Sequence, residues 1–149
     1  MIAELRRQTL FEDIPEGELR RLGPMLKQLS YKKGQQIFTE AQEARGIYLV
    51  RSGKVEISKL TADGWKQTLA VLGPGDFFGE LSILQERRHE ATATALQDVE
   101  LYMLAKEEFQ QLVKKDSPLA FHITRKIAIV MSQNLRRMNQ KFLDALINY

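Results

Sequence analysis

Apolar residues recur with three different spacings along this chain, and each spacing predicts a different kind of element. Over residues 1–28 the spacing is helical: Ile2, Leu5 and Thr9–Leu10 form a short first set, and Pro15 opens a second helix with Leu19, Leu22 and Leu26 on one face. Phe11–Ile14 separates the two, and Leu10–Phe11 reads as core packing. From Leu29 the texture changes to short runs punctuated by turns. Strands are predicted over Leu29–Lys32, Gln36–Phe38, Ile47–Arg51, Lys54–Leu60, Trp65–Leu72, Ala91–Leu96 and Val99–Leu104. The turns fall at Lys33-Gly34, Ser52-Gly53, Asp63-Gly64 and Gln97-Asp98. Val55 and Ile57 alternate with polar neighbours, as in a half-buried strand, and Leu69 and Val71 share a face. Short strands at regular intervals with glycine turns imply a β-sandwich or barrel.

The third spacing is that of a long helix. Lys106–Lys114 is predicted as one helix, with Glu107 and Glu108 in its favourable first turn. Asp116-Ser117-Pro118 then reads as a start signal, with Ser117 as N-cap and Pro118 at the first helical position. From there to Tyr149 there is neither glycine nor proline. Alternating steps of three and four residues pick out Phe121, Thr124, Ala128, Met131, Leu135, Met138, Phe142, Ala145 and Tyr149, of which only Thr124 is polar. Such heptad spacing argues for a coiled-coil seam. A second apolar set, Ile123, Ile127 and Val130, asks for a second surface. One stripe is expected to pack on the chain's own β-domain and the other on a twin helix in a parallel homodimer.

Composition narrows the class without changing that architecture. The chain has 149 residues, 44% hydrophobic and 28% charged, ordinary values for a globular domain with a real core. A net charge of +3 is too mild to argue for nucleic acid. Arg125, Lys126, Arg136, Arg137 and Lys141 are read as a solvated helix face. There is no cysteine, which removes disulfides and thiolate chemistry, and two distant histidines make no zinc cluster. The first ten residues lack the apolar core of a secretory signal, and the longest apolar run, Ile127–Met131, is far short of a membrane span. A cytoplasmic protein with no membrane partner is expected. No nucleophile–base pair, metal set or paired-carboxylate motif can be placed, so an enzyme is not expected.

Candidate chemistry concentrates in Leu72–Ala95, LGPGDFFGELSILQERRHEATATA. Gly73, Pro74, Gly75 and Gly79 force turns and let backbone approach a partner closely. Glu80–Leu84 is long enough for one turn of helix, whose free N–H groups suit an anion such as a phosphate. A charged run from Gln85 to Glu90 follows, then the small-residue strand.

GDFFGELSIL followed by the Ala91-Thr92 pair resembles the phosphate-binding cassette of cyclic nucleotide-binding domains, as in catabolite activator proteins and protein kinase A regulatory subunits. The resemblance implies an α+β, mainly β, fold: an eight-stranded jelly-roll β-barrel flanked by N-terminal helices and a long C-terminal helix. It divides the chain into a helical segment (1–28), a ligand-binding roll (29–104, with its cassette at 73–92) and C-terminal helices (105–149, with a dimerisation helix at 118–149). The glycines at 34, 53, 64, 73, 75 and 79 stand where family glycines stand. Ala41-Gln42 replaces a Gly-Asp pair common in the family, so that turn is expected to be less tight. Ligand contacts are implied for Phe78, Gly79, Glu80, Leu81, Ser82, Arg87, Arg88, His89, Ala91 and Thr92. Glu80 holds the place of the family's ribose-binding carboxylate, although it could also serve as a local cap. The dimer interface is assigned to Phe121, Ala128, Met131, Leu135, Met138 and Phe142.

One departure matters. The family's phosphate-binding arginine has its place at His89, with Glu90 beside it. Arginine offers a permanent planar fork for phosphate, whereas histidine offers one or two donors and a charge that is partial near neutrality. Arg87 and Arg88 are either a solvated charge run or a replacement. In an extended segment Arg87 would lie on the same side as His89 and could reach the phosphate slot. Ser82 and Thr92 either donate to a phosphate or satisfy turns. No cofactor or metal is expected, and cyclic AMP or cyclic GMP should bind weakly or not at all. Two readings stay open: a regulatory module sensing a nucleotide or other small anionic ligand and relaying it to the C-terminal helix, or a ligand-free dimeric scaffold of the same fold. An effector protein is the expected reader of either. Direct DNA binding would need a helix-turn-helix after the long helix, and the sequence stops at Tyr149.

Overall fold

The structure is a computed structural model and describes residues 1–148; Tyr149, the last heptad position of the sequence reading, lies outside the described residues. The N-terminal segment forms α1 (Ile2–Leu5), a 3-10 turn at Thr9–Phe11, α2 (Glu16–Leu22) and a second 3-10 turn at Gly23–Met25. Pro15 caps α2 from outside and does not begin it. Leu26 lies beyond α2: Pro24 has no N–H to donate, the chain tightens into the 3-10 turn, and Leu26 is already extended, with φ −78° and ψ 135°. Eight strands follow: β1 (Lys27–Tyr31), β2 (Gln36–Phe38), β3 (Gly46–Ser52), β4 (Val55–Leu60), β5 (Lys66–Leu72), β6 (Phe77–Phe78), β7 (Thr92–Ala95) and β8 (Val99–Ala105). The short α3 (Glu80–Leu84) sits between β6 and β7, and α4 (Lys106–Lys115) and α5 (Ser117–Ile147) close the chain.

The strands make two antiparallel sheets of four, in the orders β1-β8-β3-β6 and β2-β7-β4-β5. Each sheet keeps two free edges, so the roll is an open sandwich and not a closed barrel. The chain crosses between the sheets at every connection except β4–β5; the crossings β1–β2, β3–β4 and β7–β8 lie near Gly34, Gly53 and Asp98. The strand β6 is only two residues long and pairs Phe77 and Phe78 with Leu49 and Tyr48. Phe77–Phe78 is not among the strands predicted from the sequence, since so short a strand has no period to detect.

Strands β3 and β8 are buried on both faces, which explains their unbroken apolar runs. Ile47, Leu49, Tyr102 and Leu104 face the helices and pack with Leu5, Leu10, Phe11, Phe109, Leu119, Ile123 and Ile127. Tyr48, Val50, Leu101 and Met103 face the opposite sheet and pack with Phe38, Val55, Phe78, Ala93 and Ala95. Leu69 and Val71 do share a face of β5, but it is the solvent face. A register shift opposite Ile57 and Ser58 leaves Ala70 and Leu72 pointing inward.

Asp116 joins α4 to α5 and is the N-cap position of α5, so Ser117 is its first residue and not its cap. The Asp116 carboxylate accepts from Arg21 Nε at 2.9 Å. The first half of α5 is anchored through Leu119, Ala120, Ile123 and Ile127. Lys126 departs from the expected solvated face: it is 8% exposed and its ammonium reaches Glu12 at 2.9 Å and also Asp13. His122 Nδ1 lies 2.6 Å from Glu18 Oε2. From Met131 to Asn148 every residue is exposed, including Met131, Leu135, Met138 and Phe142. No helix of the described residues is long and apolar enough to cross a membrane.

Candidate functional site

Strand β6 delivers the chain to Gly79, whose φ of 83° is the left-handed corner that starts α3. A side chain there would press on Gly46 O and Tyr48 Cδ2, each 3.2 Å from an added Cβ. Below this corner a cavity of about 260 Å³ opens between the sheets and α3. Its apolar wall includes Phe38, Ile57, Leu72, Phe77, Phe78 and Ala91. Its polar wall is Glu80, Ser82, Gln85, Arg87, Arg88, His89 and Glu90, with Leu81 at its exposed rim.

Glu80 is partly buried, and that burial pushes its carboxyl above the ordinary carboxylate range; a bond from its own backbone N–H pulls it partly back. His89 is 5% exposed, and its ring stacks flat on Phe38 with centroids 3.5 Å apart. Nδ1 lies 3.2 Å from Ser82 Oγ, while Nε2 is enclosed without a partner. Burial depresses the pKa of His89 below its usual value, so the ring is neutral at pH 7. Its backbone is fixed too, accepting from Ala41 N at 2.7 Å and donating to Gln42 O at 3.0 Å. The turn at Ala41 is therefore not loosened by the loss of glycine. Ala41 adopts a φ of 72°, the left-handed conformation a glycine would take, at some cost in strain.

Not every sequence-assigned residue meets the cavity. Thr92 turns away, its Oγ1 accepting from Glu40 N at 3.0 Å, so it satisfies the turn. Arg87 and Arg88 line the cavity, but their guanidiniums are engaged elsewhere. Arg87 pairs with Glu90 at 3.3 Å, and Arg88 donates to Ala41 O at 3.1 Å and lies 3.4 Å from Glu43. The expected alignment of Arg87 with His89 fails because the segment is not extended: Glu86 has a φ of 54°, and Arg87 N closes a turn onto Ser82 O at 3.0 Å. Asn134 joins the cavity from α5. The sequence reading assigned no ligand contact to that helix. The available signal was a polar residue flanking the heptad seam. Ser82 and His89 lie in reach of each other, and among the described residues His89 Nε2 has no hydrogen-bond partner.

Residues 28–116 match the model of the cyclic nucleotide-binding domain. The chain belongs to that family. The cyclic AMP receptor protein of Thermus thermophilus is 37% identical over 116 residues, 78% of this chain and 51% of that protein. The cAMP-dependent protein kinase regulatory subunit of Yarrowia lipolytica is 30% identical over 109 residues, 73% of this chain and 28% of that protein. The chain thus spans about half of the first relative and less of the second. A cyclic nucleotide-binding domain from Methylobacillus flagellatus superposes with a TM-score of 0.86, over 95% of this chain and 82% of that one; at 19% identity it shows the fold alone.

The buried His89 makes a testable demand on stability. Its folded pKa is depressed, so the unfolded chain takes up the proton first as pH falls. The stability it contributes is complete above the unfolded value of about 6.5 and is lost as pH falls through the lower folded value. Glu80 runs oppositely: its raised pKa gives a contribution present at low pH and lost as pH rises. Comparison with His89→Gln cancels the Glu80 part. Urea unfolding from about pH 7.5 to about pH 5 should show the wild type losing stability relative to the variant. A difference that stays flat with pH would show that the ring protonates as readily folded as unfolded.

Proposed function

We propose that this chain is a regulatory module of the cyclic nucleotide-binding domain family, which takes a small ligand in the cavity beneath α3 and passes its occupancy to α5. The module works by binding and not by turnover, and α5 pairs with its counterpart in a second copy. The observation that carries this reading is the cavity wall itself. Phe78, Glu80 and Ser82 of the cassette and Asn134 of α5 border the same space, so a ligand touches the helix directly. A ligand shifts the position of α5 only by the difference in its affinity for the two positions, and contact with Asn134 supplies such a difference. The exposed apolar stripe of α5 supports the pairing.

The test combines calorimetric titration of nucleotides and nucleosides with hydrogen exchange of the helix. A ligand that binds should change amide protection across Met131–Ile147. Binding with no change there would remove the relay. One observation favours a second reading, a dimeric scaffold without ligand: a neutral, stacked His89 fills the phosphate slot. Absence of binding by every probe, with the dimer intact, would establish the scaffold.

A further inference from the structure

We propose that the ligand of this cavity is uncharged: a planar heterocycle of nucleoside size carrying hydroxyl or amino donors, and not a cyclic phosphate. This rests on the module reading above and names the chemical class its site takes.

A phosphate drawn into a partly enclosed cavity needs a cation, because an unpaired charge out of water is costly. Three side chains could supply one, and each is committed. His89 has its ring face on Phe38, Nδ1 on Ser82 and Nε2 enclosed. Arg87 is held by Glu90, and Arg88 by Ala41 O and Glu43, both with exposed side chains. Turning either inward would exchange a hydrated ion pair for a desolvated one, which the new attraction repays only with very good geometry. The Glu80 carboxylate borders the same space and, while ionised, repels an incoming anion.

The remaining wall describes what does fit. Phe38, Phe77, Phe78, Ile57 and Leu72 line the cavity with apolar and aromatic carbon suited to a ring. The Glu80 carboxylate accepts and cannot donate while ionised, so it selects hydroxyl or amino groups on the ligand. Asn134 Oδ1 already accepts from Arg137 Nη2 at 2.8 Å, which leaves the amide N–H groups to meet an acceptor on the ring. A cavity of about 260 Å³ is close to the small end of ligand sites, roughly 300–1,000 Å³.

The test titrates adenosine, guanosine, cyclic AMP and cyclic GMP into the full chain by calorimetry. Each nucleoside that binds should do so at least as tightly as its cyclic phosphate. Raising salt from about 0.1 M to about 1 M, where screening shortens from ~10 Å to ~3 Å, should leave its affinity unchanged. His89→Arg should invert the order, the cyclic phosphate gaining about tenfold or more over its nucleoside. A circular dichroism melt checks that this variant folds, and the wild-type order decides the matter if it does not. A wild type that prefers a cyclic phosphate about tenfold or more overturns the proposal and leaves the module reading standing. No binding of any of the four by wild type or His89→Arg overturns both.

Discussion

Lysine in place of Leu135 or Met138 should convert a sedimenting dimer into a monomer. The free half of α5 carries Met131, Leu135, Met138 and Phe142 on one stripe, with Leu135 58% and Met138 66% exposed. Most helical stability in proteins comes from packing of an apolar face, so the exposed stripe of this half-helix is suited to a partner surface. In a parallel two-fold pairing each seam residue meets its own counterpart, so one substitution places two ammonium groups face to face. Desolvating them costs several kcal/mol. The dissociation constant should therefore rise by at least roughly a thousandfold, about 4 kcal/mol. Arg136→Ala, one residue along but off the seam, should leave the dimer intact and shows that α5 itself survives substitution. Sedimentation at micromolar concentration reads all three. A wild type that runs as a monomer ends the pairing.

The parts of this molecule that could be read from sequence are those with a long, uniform period. Phe121 through Phe142 keep heptad phase, and of the second set Ile123 and Ile127 enter the core while Val130 is half-buried, because a continuous helix preserves register over many turns. The strands of the roll were legible as alternating or apolar runs between glycine turns. Reading failed where one local event resets the geometry. Pro24 ends α2 before Leu26, and the turn at Glu86 redirects Arg87 from His89 to Glu90. At the site, the cassette pattern was visible as a string of residue types, and His89 stood out as a departure from it. That the ring lies stacked on Phe38 could not be seen, since Phe38 is distant in sequence and the contact depends on how the sheet β2-β7-β4-β5 faces β6. Asn134 escaped for the same reason. Its approach to the cavity follows from the angle at which Ile123 and Ile127 seat α5, which no local pattern encodes.

That facing of the sheets is set at the corners, and the corner at Gly53 should be the most sensitive single position in the roll. Gly53 has a φ of 87° where the chain passes from β3 to β4. A Cβ there would stand 2.4 Å from Asp98 O, 2.6 Å from Val99 Cγ1 and 3.0 Å from Val99 Cα, against the start of β8. Two costs follow from Gly53→Ala. The left-handed backbone costs an alanine about 1–2 kcal/mol. The overlap adds about 1–3 kcal/mol of overpacking, and it cannot be relieved by a rotamer change because Asp98 O and Val99 Cα belong to the backbone. Together the loss is roughly 2–5 kcal/mol, or a fall in Tm of roughly 5–20 °C for a domain of this size. Gly34→Ala separates the two costs: Gly34 has nearly the same φ, 89°, but nothing within 4 Å of an added Cβ. It should lose only the conformational part. If both variants melt together, the β3–β4 corner is not pressed against β8, and the close facing of the sheets that shapes the cavity must be held elsewhere.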